Sequence, residues 1–74
     1  MENIIYTVIL DGELLKCVDT SNGAIHGSIN IVGNIVSGPI VTGDRCTLVV
    51  NNYMGIQGKV FKLPSFNVVT TFSA

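Results

Sequence analysis

His26 is the single histidine of the chain, so any acid–base or metal chemistry would have to begin there. Asp19 precedes it and Ser28 follows it, which supplies the three residue types of a hydrolytic triad: hydroxyl nucleophile, imidazole base and orienting carboxylate. The spacing argues against that use. Residues two apart in an extended strand share a face but stand about 7 Å apart, beyond a direct hydrogen bond. The expectation is therefore a partly exposed strand histidine.

The carboxylates Glu2, Asp11, Glu13, Asp19 and Asp44 are scattered along the chain. Asp11, Asp19 and Asp44, each beside Gly or Thr, have the setting of turn residues whose side chains bond nearby backbone donors. Cys17 and Cys46 form no CxxC and no Cys/His ligand set, and free cysteine packs like a small hydrophobe. They are expected as buried, reduced thiols. No glycine-rich loop ends in the lysine and hydroxyl of a phosphate-binding loop, and no GxGxxG is present. The chain is expected to have no catalytic residue, no metal site and no cofactor.

What remains is contact chemistry. Tyr53 and Met54, next to Asn51 and Asn52, suit an adaptable binding edge, because aromatic and methionine side chains carry much of the energy of contact surfaces. The same two residues would also serve to cap the open end of a barrel. Lys59 and Lys62, with Arg45, make a weak basic patch whose default role is a solvated face. Lys16 is the one other cation, and the net charge is −1. Autonomous nucleic-acid binding draws on roughly six to ten phosphate contacts, which four cations in one copy do not supply, although an oligomer would multiply them.

Elements that position these residues are strands. From Gly33 to Val50, GNIVSGPIVTGDRCTLVV, a glycine recurs at every fifth position, Gly33, Gly38 and Gly43, between short β-branched runs. Gly and Pro break helices, and Val and Ile lose rotamer freedom in them, so the pattern predicts strand, turn, strand, turn, strand, with Ser37-Gly38-Pro39 and Thr42-Gly43-Asp44 as the turns. Ile4 to Leu10 is apolar on both faces of a strand and is expected to be covered twice. Asp11-Gly12 marks a hairpin turn, Leu14 to Val18 the return strand, and Thr20 to Gly23 a polar turn. Ala24 to Val32 alternates with period two except at Gly27, which suggests a bulge or a close backbone approach. Asn51 to Gly58 reads as a loop, Lys59 to Leu63 as a short strand, Pro64-Ser65 as an interruption, and Phe66 to Phe72 as a last alternating strand.

Six or seven short strands in 74 residues point to a small barrel or sandwich, and the expectation is one all-β domain spanning residues 1–74, a small β-barrel. The runner-up is a short β-solenoid like the bactofilin filaments, from glycine followed two places on by an aliphatic residue at Gly27, Gly33, Gly38 and Gly58.

The stretch around Gly33, Ile35, Gly38, Ile40, Gly43, Asp44, Cys46 and Leu48 resembles the signature of the second domain of translational GTPases such as elongation factor Tu. Gly58-Lys59-Val60-Phe61-Lys62-Leu63 is similar to the next strand of that domain. The resemblance implies a translation-factor-like barrel that contacts RNA or neighbouring domains. The family's chemistry sits in a separate GTP-binding domain that has no counterpart in this sequence. Nor has the family's closing Ala-Gly turn, where the chain reads Pro64-Ser65-Phe66-Asn67.

Composition points to the partner. The chain is 47% hydrophobic and 12% charged, where about 25% charged is ordinary, and a domain of this length has little interior to spend apolar residues on. The excess is expected to cover an interface between copies of the chain. The run from Ile4 to Leu10 is too short to span a membrane and lacks the basic start and cleavage site of an export signal, so an intracellular location with no membrane partner is expected. The reading is a non-enzymatic structural or interaction protein that self-associates, with a size and an Asn, Thr, Ser and Gly content that suit a phage or mobile-element component. The alternative is a stand-alone translation-barrel module binding RNA or a protein of the translation machinery.

Overall fold

The computed structural model describes residues 4–73, and Glu2 lies outside the described residues. Seven antiparallel strands follow one another: β1 (Tyr6–Asp11), β2 (Leu14–Asp19), β3 (Ile25–Asn30), β4 (Asn34–Thr42), β5 (Arg45–Asn52), β6 (Gly55–Lys62) and β7 (Asn67–Ser73). They form two sheets, β1-β2-β3 and β4-β5-β6-β7, each a plain meander. The molecule measures 42 × 22 × 17 Å, the short dimension fitting two sheet layers.

Turn chemistry sets this order. Gly12 and Gly43 each take the first position of a two-residue hairpin loop, with φ of +63° and +61°, closed by Asp11 opposite Leu14 and by Thr42 opposite Arg45. Glycine at the first loop position is the type II′ pattern, whose twist matches that of the flanking strands. Asp11 therefore ends β1, and the loop is Gly12-Glu13. The expected loop from Asn51 to Gly58 is largely strand: β5 runs to Asn52, β6 starts at Gly55, and Tyr53-Met54 alone forms the tip. The Asn52 side chain accepts the Met54 N–H at 2.9 Å and closes this turn.

Ser37-Gly38-Pro39 is not a turn. It lies inside β4, where the register against β5 shifts between Ile35 and Ser37 and again between Ser37 and Ile40. Gly38, at φ +92°, and Pro39, which has no N–H, bend the strand without ending it. Gly27 meets both of its expectations. The register of β3 against β2 shifts beside it, with His26 as the extra residue, and a methyl group on Gly27 would run into the backbone oxygen of Pro64.

The core lies between the sheets. Leu15 and Cys17 of β2 face Cys46, Leu48 and Val50 of β5 and Phe61 of β6, with Ile31, Leu63 and Phe66 closing the ends. Phe61 and Phe66 meet edge to face at 5.9 Å. Phe66 sits at φ +63° in the turn between β6 and β7, where its N–H donates to Lys62 and its ring is buried.

No closed barrel forms among the described residues. The two sheets share no ladder: β1 approaches β4 at one corner without pairing, and β3 packs by Gly27 against the turn at Pro64. Closure needs one continuous ladder. Bulges break the outer strands β3, β4 and β7, and Pro39 has no donor to offer a second neighbour. The solenoid is also corrected, because every strand pair is antiparallel while stacked rungs pair parallel. The recurrent glycines serve turns, bulges and close packing.

Candidate functional site: an apolar contact surface

The bulge at His26 decides the fate of the triad residues. An extra residue resets the alternation of β3, so Ser28 pairs with Lys16 on the outer face, while His26 turns toward Asp19. His26 Nε2 lies 3.6 Å from Asp19 Oδ2, and its ring meets Tyr6 edge-on at 5.8 Å. Asp19 is 5% exposed and accepts from the Ser21 hydroxyl at 2.6 Å and the Ser21 N–H at 2.9 Å. The Ser21 side-chain bond, then its backbone bond, then His26 nearby hold the Asp19 carboxyl below the usual carboxylate range, against the opposing effect of burial.

The carboxylate thus stands between hydroxyl and imidazole. The Ser21 hydroxyl donates to Asp19 and Ser28 lies on the outer face, so neither serine makes a nucleophile–base pair with His26. What the cluster does is anchor a loop. The Asp19 backbone oxygen accepts from Gly23 N–H at 2.8 Å, its N–H donates to Ala24 at 2.9 Å, and Asn22 accepts the Ala24 N–H at 2.8 Å.

Cys17 and Cys46 are free and fully buried, one on the central strand of the small sheet and the other on β5. Burial pushes the Cys46 thiol up to about 11, with the nearby Cys17 adding to the effect, and burial raises the Cys17 thiol as well. Neutral, inaccessible thiols of this kind are poor nucleophiles.

The candidate basic patch divides. Lys59 lies opposite Leu48 on the core-facing side of the large sheet, whereas Lys62 lies opposite Arg45 on its outer side. Three residues apart means opposite faces when the side-chain period is two. Arg45 and Lys62 are cross-strand neighbours of like charge, and Asp44 sits 3.8 Å from the Arg45 guanidinium. Lys59 belongs to a groove of about 320 Å³ between the end of β3 and the inner faces of β6 and β7, floored by Ile29, Phe61 and Val68. Tyr53 and Met54 border its mouth, but at 91% and 67% exposed they cap nothing.

The largest feature is one that no motif marks. Among the described residues fourteen large hydrophobic side chains are exposed, against nine hydrophobic residues that are buried. Ile4, Ile5, Ile9 and Leu10 lie on or beside β1, Val68, Val69 and Phe72 on β7, and Ile40 and Ile56 on the outer face of the large sheet. The run from Ile4 to Leu10, expected to be covered twice, is the edge of the small sheet and is only half-covered. All seven residues of β7 are exposed. Sequence reasoning pointed to this surface only through composition, because the same alternation of Val and Ile describes an inner strand and an edge strand. Compared with protein-family models, curated proteins and solved structures, the chain matches none.

Proposed function

We propose that this chain is a non-enzymatic structural or interaction protein that works inside the cell by associating with further copies of itself, as a component of a phage or mobile element would. One observation carries the reading: more large hydrophobic side chains lie outside the core than in it, on a chain with few charges to keep it apart from its neighbours. Four strand edges add unpaired backbone groups beside those side chains. Size-exclusion chromatography with light scattering over a range of concentration tests it. A species heavier than 7.9 kDa is expected, and a monomer at every concentration overturns the reading.

A second reading is supported by the adjacency of Arg45 and Lys62, two like charges directly opposite each other on the outer face of the large sheet. Asp44 offsets part of this charge and an anion would relieve the rest, which suits a stand-alone module that binds RNA or a protein of the translation machinery. Replacing both residues by Glu is expected to abolish any RNA or ribosome retention under this reading and to leave self-association intact under the first.

A further inference from the structure

Three of the four sheet edges are bulged: β3 at His26, β4 on both sides of Ser37, and β7 at Val69. Bulges twist an edge away from a would-be partner and interrupt its row of donors and acceptors. Of the four edges among the described residues, β1 alone has an unbroken register, Tyr6 opposite Asp19 through Asp11 opposite Leu14. The pairing continues upstream, since the Thr20 N–H and hydroxyl both donate to the Ile5 oxygen at 3.0 and 2.8 Å. From Ile4 to Leu10 this edge carries no charge and no proline, and Ile5 is 69% exposed. Apart from the Asp11 carboxylate at its end and the corner where β4 approaches it, this edge has none of the devices that keep an edge strand single.

We propose that β1 pairs antiparallel with β1 of a second copy about a two-fold axis through Thr7, joining two small sheets into one of six strands. This specifies the surface behind the self-association proposed above and rests on that reading. Two features of the strand bear on the occupant: hydrogen-bond phase permits a second copy, and side-chain complementarity selects one with this register.

The first is hydrogen-bond phase. Because Ile5 bonds toward β2, the alternation of an antiparallel ladder directs Thr7 and Ile9 toward β2 as well and leaves the N–H and C=O groups of Tyr6, Val8 and Leu10 facing outward. Around Thr7 these outward groups meet their own copies in reciprocal pairs, Tyr6 with Val8 and Leu10 with Ile4. Thr7 meets Thr7 as the central pair without backbone bonds.

The second is side-chain complementarity. The same register sets Ile4 against Leu10, Ile5 against Ile9 and Tyr6 against Val8, so each apolar residue of the run finds an apolar partner on its own face. Moving the axis to Val8 puts the Asp11 carboxylate against Ile5. A seam this narrow buries on the order of 1,000 Å² in total, at the low end for specific interfaces, so the dimer is expected to dissociate on dilution through the micromolar range.

Thr7 is exposed, so its replacement does not disturb the core. In a central pair without backbone bonds the Cα atoms stand about 4.5 Å apart, within disulfide reach. Thr7→Cys is therefore expected to cross-link into a dimer under oxidised glutathione, while Ser28→Cys, on the bulged edge β3, stays uncross-linked. Thr7→Lys, which opposes two ammonium groups at the axis, is expected to raise the dissociation constant at least tenfold with an unchanged circular dichroism spectrum. A wild-type chain that associates while Thr7→Cys fails to cross-link and Thr7→Lys has no effect overturns the β1 seam and leaves self-association standing through another surface. A wild-type chain that is monomeric at every concentration overturns both.

Discussion

Asp19 and Cys46 make stability depend on pH in opposite senses. A carboxyl held below its ordinary 3.8 in the native state stabilises the fold above that value, and the contribution is lost as pH falls through the lower native value. Ser21 supplies the two leading causes, and Ala at position 21 keeps the backbone bond while losing the hydroxyl. Ser21→Ala is thus expected to reduce the loss of stability between pH 5 and pH 2, measured by urea unfolding across that range. Cys46 acts at the other end. Its thiol ionises at 9.0 when unfolded and at about 11 when native, so the unfolded chain releases the proton first and stability falls as pH rises between those values. The decline attributable to this one group is roughly 2 to 3 kcal/mol. Cys46→Ala costs stability at neutral pH by leaving a cavity, but its stability should fall less steeply from pH 8.5 to pH 10.5 than that of the wild type.

At the scale of the element, two glycines separate a rigid obstruction from a yielding one. A methyl group at Gly27 meets the Pro64 backbone oxygen where β3 packs against the turn between the β6 and β7 strands. A methyl group at Gly58 meets the ring of Phe72, its cross-strand neighbour on β7, which is 46% exposed and free to swing outward. Gly27→Ala is expected to cost about 2 to 3 kcal/mol, as overpacking without relaxation does, and Gly58→Ala under about 1 kcal/mol. Denaturant midpoints of the two variants check the order, and an equal loss would mean that the Pro64 turn gives way as readily as a side chain. Elements also show how far sequence reading reached. Asp11-Gly12 and Thr42-Gly43-Asp44 announced their hairpins through glycine at the loop, and Gly27 announced a bulge or close approach and meets both. Ser37-Gly38-Pro39 announced a turn and is instead a bulged stretch inside β4. Gly-Pro suits a turn and a bulged edge equally, and only the run of β5 alongside, pairing with both halves, makes it one strand.

For the whole molecule, an apolar and weakly charged surface predicts how association responds to salt. Raising sodium chloride from 50 to 500 mM should leave the apparent mass unchanged, and sulfate should increase it, because excluded salts favour burial of apolar surface. Sedimentation across both series checks this. A loss of mass with added sodium chloride would instead mark contacts between charges, and salt-sensitive RNA retention would favour the RNA-binding reading.

The sequence by itself determined the all-β class and most of the strands and turns, because β-branched alternation and Gly or Pro placement act over a few residues. It also carried the excess of apolar residues that no interior of this size absorbs. Tertiary structure alone decided that the strands divide into sheets of three and four with open edges, since whether two edges join depends on bulges and crossovers that bring distant residues together. It placed His26 beside Asp19 and away from Ser28, by the one extra residue in β3. It left the most apolar run of the chain at an edge, whereas the opposite faces of Lys59 and Lys62 follow from the strand period of two alone. Local pattern specifies which residues form a strand, whereas the neighbours of that strand, and so the exposure of its faces, are set by contacts between residues far apart in the chain.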